Sequence, residues 1–259
     1  MVCRRILNVR FERGHGGNIM TNTEFRTGLI KPIECVKEGF ELIKRDYWLL
    51  FAVGLVGGLI GGVTMYILAG AMICGIFICY LNAIDGRPVV FDDLWKGMNF
   101  FGPGLVLILV MIVPAFVYYI FVYFTLIAAV FGGAAAGEAG MIGALIVVGV
   151  IDLVVLFAMI CFHTMLTFSF PLMVDRGLGA VDAMKTSASA VWQNLGGVAG
   201  MVVVNFGLMI AGYLALCIGL YFVIPIMIAA NVVAYRRVFP QLGNQPNLYP
   251  PPPPTSYNA

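Results

Sequence analysis

Charge is what this chain has least of: 15 Lys and Arg and 13 Asp and Glu among 259 residues. A soluble domain needs charge on its surface, so a chain that is 61% apolar, with a mean hydropathy of +0.96, calls for lipid as its solvent. Histidine is almost missing, with only His15 and His163 present, and no His-Glu-x-x-His zinc motif occurs. There is no phosphate loop and no Gly-x-Ser-x-Gly nucleophile elbow. The six cysteines (Cys3, Cys35, Cys74, Cys79, Cys161 and Cys217) stand singly, so no thiolate metal site or secreted disulfide framework is implied. They read as small apolar fillers. Asp92 and Asp93 are adjacent and face different ways on a helix, so they do not form a catalytic pair; Asp92 reads as a helix cap. Ser187 and Ser189 have no base in sequence reach. These absences point away from an enzyme, and no cofactor, catalytic group or metal site is expected. The basic residues are too dispersed and too mixed with Glu to mark a nucleic-acid surface.

What charge there is has an order. Nine basic residues precede Trp48: Arg4, Arg5, Arg10, Arg13, Arg26, Lys31, Lys37, Lys44 and Arg45. Arg87 and Lys96 fall in one break between apolar segments, Arg176 and Lys185 in a later one, and Arg236 and Arg237 after the last. Lys and Arg resist translocation, so a six-helix reading places all of them on the cytoplasmic side. A bacterial inner-membrane protein with both termini inside follows. The N-terminal cluster then lies against anionic lipid headgroups of the cytoplasmic leaflet.

A spanning helix needs roughly 20 apolar residues for a core of about 30 Å. The uncharged blocks at about 47–84 and 197–235 are each near twice that length. Both therefore read as helical hairpins, the first turning around Gly61, Gly62 and Thr64. Segment three begins at Pro103, a good first-turn residue, and ends near Phe131. The break from Gly132 to Gly140 carries Glu138 and no basic residue, so it lies outside; segment four runs from about Met141 to Val174. The expected fold is all-α, with six transmembrane helices as three hairpins. Each hairpin is preceded by an amphipathic helix on the cytoplasmic side. The domain boundaries are a 1–46 N-terminal segment, a 47–237 membrane domain and a 238–259 tail.

The approaches rest on periodicity. Pro32 opens one with Ile33, Val36, Phe40, Ile43 and Tyr47 at helical spacing, opposite a face on which Glu41 and Arg45 form an i,i+4 pair. Val90, Leu94, Met98 and Phe101 repeat the pattern before segment three; Val181, Met184, Ala188, Val191 and Leu195 repeat it before segment five. The three tryptophans, Trp48, Trp95 and Trp192, fall one to each approach, where indole anchors at the membrane interface.

No cleavable signal is expected, because the first apolar run begins near position 47 without a small-residue cleavage motif. Residues 1–19, with four arginines and no periodicity, read as an upstream extension, with Met20 as the natural start. At the other end, Pro250 to Pro254 favour polyproline II within a disordered tail that is a candidate strip for a protein partner.

Asp152 is the one carboxylate inside an expected span. An ionised group there costs about 2.5–3.5 kcal/mol on insertion scales, so it needs protonation, a partner or water. His163 is three turns on and faces nearly the same way; Asn205 and Asn231 are candidate polar partners from neighbouring helices. One reading is a proton or cation relay, the other a polar pin. Gly54, Gly58 and Gly62 form a smooth stripe for close helix packing, most simply within the chain. Pro114, Pro171 and Pro225 interrupt segments three, four and six. Tyr118, Tyr119 and Tyr123 read as an outer aromatic belt.

The approach Glu38-Gly39-Phe40-Glu41-Leu42-Ile43-Lys44-Arg45-Asp46-Tyr47-Trp48 and the turn Asp85-Gly86-Arg87-Pro88 carry a resemblance. So do Pro171-Leu172-Met173-Val174-Asp175-Arg176-Gly177, the following helix to Leu195, and Ala234-Tyr235-Arg236-Arg237-Val238-Phe239. Over about 35–240 the layout resembles uncharacterised bacterial polytopic membrane proteins and the membrane domain that accompanies some glycerophosphodiester phosphodiesterases. The resemblance implies a fold and no activity, since no phosphodiesterase domain is present. The function expected is a non-enzymatic membrane scaffold or envelope-organising protein. A small transporter or channel using Asp152 is the alternative. The sequence leaves the oligomeric state open.

Overall fold

Proline at the start of a helix costs no hydrogen bond, and Pro32 opens the first one. The computed structural model describes residues 25–135, 137–215 and 218–241. The leader at 1–19 and residues 242–259 of the tail lie outside them, as do Cys3 and Cys217; Val238 closes the last helix and Phe239 is buried against Tyr235, so the tail boundary expected at 238 falls within packed chain. Every regular element among the described residues is helical: α1 (Pro32–Ile43), α2 (Tyr47–Val63), α3 (Ala69–Ile84), a 3-10 helix (Phe91–Phe100), α4 (Phe101–Ala134), α5 (Gly137–Met165), α6 (Ser169–Arg176), α7 (Ala180–Gln193), α8 (Leu195–Leu214) and α9 (Ile218–Val238).

Four stretches are long and apolar enough to cross a membrane: Phe91–Gly133, Gly137–Arg176, Leu195–Leu214 and Gly219–Val238. The pair α1 and α2, bent by 101°, makes a fifth if counted as one span. With 17 and 16 residues, α2 and α3 reach only about 25 Å each at 1.5 Å per residue.

Helix α3 is the centre of the packing, touching α1, α2, the 3-10 helix, α4, α6 and α9. Glycine makes these approaches possible. A Cβ on Gly70 would lie 2.2 Å from the Gly104 carbonyl oxygen of α4, and one on Gly75 would lie 2.0 Å from that of Leu94. Conversely, a Cβ on Gly97 would sit 2.1 Å from the Ala71 oxygen. Backbone therefore rests on backbone where the 3-10 helix crosses α3. Helix α1 docks on α9 by the same means, with Gly39 against Ala229 and Ala230. Helix α9 also packs along α8, with Gly212 against Gly219 and Leu220, and α8 meets the start of α1, where Gly197 and Gly200 abut Ile30 and Pro32. Cys35, Cys74 and Cys79 are buried fillers as expected, whereas Cys161 is exposed.

The pair α4 and α5 behaves differently. They run along each other for most of their 34 and 29 residues, yet α5 buries none of its own. Beyond Pro114, α4 buries only Ala129 and Gly133 among the residues whose burial is described.

Several expectations need correction. Segment four is not one helix to Val174: a turn at 166–168 separates α5 from α6, and Pro171 lies in the first turn of α6, where it kinks nothing. The approach to α4 is a 3-10 helix, and Asp92 does not cap it; Asp93 is the buried carboxylate, held by Asn82 at 2.9 Å and Lys96 at 2.6 Å. The turn between α2 and α3 spans 64–68 and places Met65 and Tyr66 at positive φ. Glu41 pairs with Lys44 rather than with Arg45.

The buried faces of the approach helices are also rotated from the expected ones. Helix α1 buries Cys35, Gly39 and Ile43 and exposes Ile33 and Phe40. Helix α7 buries Ala180, Ala183, Ser187, Ala190 and Val191, leaving Val181 and Trp192 exposed. Mostly small residues meet the protein, with Ile43 and Val191 beside them, and several large apolar ones face outward. Trp48 and Trp95 are likewise exposed.

The glycine stripe follows the same rule with a one-residue shift. Gly57 and Gly61 meet Ile76 and Ala69 of α3, whereas a Cβ on Gly54, Gly58 or Gly62 would meet open space. Gly58→Ala is thus expected to leave the melting temperature of the purified protein unchanged or slightly raised, because alanine gains up to about 1 kcal/mol of helix propensity. A clear loss in a thermal melt would mean that this face is packed.

Candidate functional site

Two groups of polar residues sit on this frame, and only one was visible as a group in the sequence. Asp152 lies half-buried in the α4–α5 seam, with its carboxyl oxygens 3.3 and 3.5 Å from the Thr125 hydroxyl. That hydroxyl is also 3.0 Å from the carbonyls of Phe121 and Val122, so one proton is shared among several acceptors. Tyr118 donates to the backbone oxygen of Asp152 at 3.4 Å, while Tyr119 and Tyr123 are exposed.

His163 is not joined to Asp152. Its ring nitrogens lie 2.9 Å from the Met159 carbonyl and 3.1 Å from that of Met111. Pro114 lacks the N–H that would close the helix onto Val110, and the His163 contact falls on the next carbonyl along, that of Met111. A shallow groove of about 420 Å³ runs beside this seam past Tyr118, Leu156, His163, Thr164 and Thr167. Asn205 and Asn231 are not recruited to Asp152 either; Asn205 donates to Asn231 at 3.2 Å across α8 and α9.

The second group is a cluster of charges where three helices end. Asp85 closes α3, Asp175 and Arg176 end α6, and Tyr235 and Arg236 lie in the last turn of α9. Arg236 grips Asp85 with two bonds, Nε to Oδ1 at 2.9 Å and Nη2 to Oδ2 at 2.7 Å. Its Nη2 also lies 2.8 Å from Asp175 Oδ1. Tyr235 donates its hydroxyl to Asp175 Oδ2 at 2.7 Å, and Arg176 Nε approaches the same oxygen at 3.2 Å. Arg87 reaches Asp85 Oδ2 at 2.7 Å from the exposed side. The Arg236 guanidinium lies over the Tyr235 ring, 5.5 Å from its centre.

Burial makes this cluster consequential. The side chains of Asp85, Arg176 and Arg236 are 5%, 8% and 11% exposed. Charges taken this far from water persist only when each has a partner. An arginine at a helix C-terminus also meets the negative end of the helix dipole. The cluster joins α3, α6 and α9, and its neighbours extend the joint. Arg237 binds Glu38 at 2.6 Å and Glu34 at 3.4 Å, tying α9 to α1. Lys31 beside Glu34, aided by Arg237, holds the Glu34 carboxyl below its usual range. Ser187 accepts from the Phe168 N–H at 3.1 Å and donates to the Met165 carbonyl at 2.7 Å, fixing the α5–α6 turn onto α7.

In the sequence Arg87, Arg176 and Arg236 marked sidedness, and Asp85 and Asp175 stood only within short motifs, so the five were not visible as a group. A signal was present: each apolar stretch that ends here carries a charge in its final turn or just after it, and the signs are complementary. Residues from the stretches 85–88, 171–177 and 234–239 meet in this cluster. No protein-family model, curated protein or solved structure matches the chain.

Proposed function

We propose that this protein is a non-enzymatic scaffold of a bacterial inner membrane. It crosses six times as three hairpins, α2–α3, α4–α5 and α8–α9, with both termini in the cytoplasm. The observation that carries the reading is the charged cluster, which ties a helix of one hairpin (α3) to another (α9) and to α6, which continues the α4–α5 arm. Around it, α1, the 3-10 helix and α7 form a platform at the inner leaflet. Their exposed Ile33, Phe40, Trp95, Val181 and Trp192, with Trp48 at the start of α2, reach into the headgroup boundary. The α4–α5 arm extends from this platform with its outer faces free for lipid, and the cytoplasmic face is available to a protein partner.

Transport through the α4–α5 region is the second reading, favoured by the groove beside His163. Asp152 separates the two. On the scaffold reading it is a polar pin held by Thr125. Asp152→Cys, in a background without the native cysteines, should resist a small membrane-impermeant thiol reagent from either side while the protein keeps its elution volume. Ready labelling, together with flux in liposomes that Asp152→Asn abolishes, would favour the transporter.

A further inference from the structure

The charged cluster has a cavity beside it of about 200 Å³, walled by Asn82, Arg87 and Asp175 on its polar side and by Leu81, Phe100 and Val174 among the apolar side chains. Both carboxylates of the cluster are already matched. Asp175 receives Arg236, Tyr235 and Arg176, and Asp85 receives Arg236 twice and Arg87 once. Three guanidinium groups therefore stand against two carboxylates, leaving one positive charge in surplus. One feature places part of that surplus at the cavity. Arg87, with a 57% exposed side chain, is itself part of the wall and spends only one of its nitrogens on Asp85.

What the free N–H groups of Arg87 match is a compact anion that only accepts hydrogen bonds. The volume is below the roughly 300–1,000 Å³ of sites that enclose drug-sized ligands. It suits a single oxyanion group with water. Arginine matches such a group through paired, charge-assisted bonds.

We propose that this cavity binds a phosphate oxyanion, presented either by an anionic phospholipid headgroup or by a free phosphate compound. The chemistry of the pocket does not depend on the scaffold reading; only the lipid source rests on the membrane placement. The apolar wall formed by Leu81, Phe100 and Val174 favours the lipid, because a diester carries its glycerol and first methylenes alongside the phosphate.

The test uses the full chain, purified in a neutral detergent and melted with each of two probes: phosphatidylglycerol against phosphatidylcholine in mixed micelles, and inorganic phosphate against chloride at equal ionic strength. The chain should be stabilised by phosphatidylglycerol, with apparent affinity falling about tenfold in Arg87→Gln and largely restored in Arg87→Lys. Lys185→Gln, an exposed change of the same charge away from the cavity, should match the unaltered protein. Stabilisation by inorganic phosphate with the same dependence on Arg87 assigns the site to a free phosphate compound. The proposal is overturned if neither probe raises the melting temperature, or if Arg87→Gln responds as strongly as the unaltered chain. In either case the scaffold reading stands or falls separately, on the labelling of Asp152→Cys.

Discussion

Arg236→Met is expected to destabilise the protein by about 3 kcal/mol, the low end for breaking a buried ion pair, because each carboxylate keeps one other cation. Methionine keeps much of the volume of the side chain, so lost packing is a small part of the effect. What remains is Asp85, 5% exposed, with Arg87 as its cation, and Asp175 with Arg176 and Tyr235. Neutralising the carboxylates as well should restore much of the loss, because a buried ion pair contributes little beyond an apolar pair of the same shape. Asp85→Asn combined with Arg236→Met should therefore be more stable than the sum of the single changes predicts. Thermal unfolding in detergent, with all three variants compared, measures this. A loss under about 0.5 kcal/mol in Arg236→Met, the range of ordinary surface changes, would show that the cluster is wet and not structural.

The second large effect is steric. Gly75→Ala and Gly97→Ala are each expected to cost about 3 kcal/mol, the upper end for overpacking. The reason is what the added methyl would meet. It would lie 2.0 Å from the Leu94 carbonyl oxygen in the first case and 2.1 Å from that of Ala71 in the second. Both obstacles are backbone, so no rotamer change relieves the clash, and the 3-10 helix must lift away from α3. The two changes act on one contact and should be strongly non-additive, the second costing little once the helix has moved. Folded yield and melting temperature would report it. Near-native stability for Gly97→Ala would contradict the close crossing of these elements.

Much of the frame was legible because lipid imposes a simple code. Long uncharged runs became apolar helices, and Pro32 and the short break at 132–140 marked real boundaries. The code fails at the level of helix faces. In water the largest apolar side chains turn inward, so Ile33, Phe40 and Val181 read as the core side of their helices. Here the protein-facing sides keep Ile43 and Val191 but are otherwise Cys35 and Gly39 of α1 and Ala183, Ser187 and Ala190 of α7, whose small size permits close approach. The same physics exchanged Gly54, Gly58 and Gly62 for Gly57 and Gly61.

The division between α5 and α6 was hidden because Leu166, Thr167 and Phe168 are no more polar than their neighbours, and Pro171 looks alike from sequence whether it kinks one helix or opens the next. Polar partners were the least readable feature. Asp152 and His163 share a helix face, yet each is satisfied by α4, at Thr125 and at the Met111 carbonyl. Asn205 and Asn231 found each other. Asp85 and Arg236 are 151 residues apart, and only the fold brings them together.

Thiol labelling at the α2–α3 turn tests the six-crossing account most directly, because α2 and α3 are the shortest of its spans. Tyr66 is exposed at that turn, Glu138 at the start of α5, and Lys96 and Lys185 on the opposite side of the expected bilayer. In a chain without native cysteines, Tyr66→Cys and Glu138→Cys should both react with an impermeant maleimide applied to intact cells. Lys96→Cys and Lys185→Cys should react only after permeabilisation. A Tyr66→Cys thiol that stays unlabelled until the membrane is opened, while Glu138→Cys labels from outside, would contradict the account. It would make α2 and α3 a re-entrant pair and reduce the crossings to four.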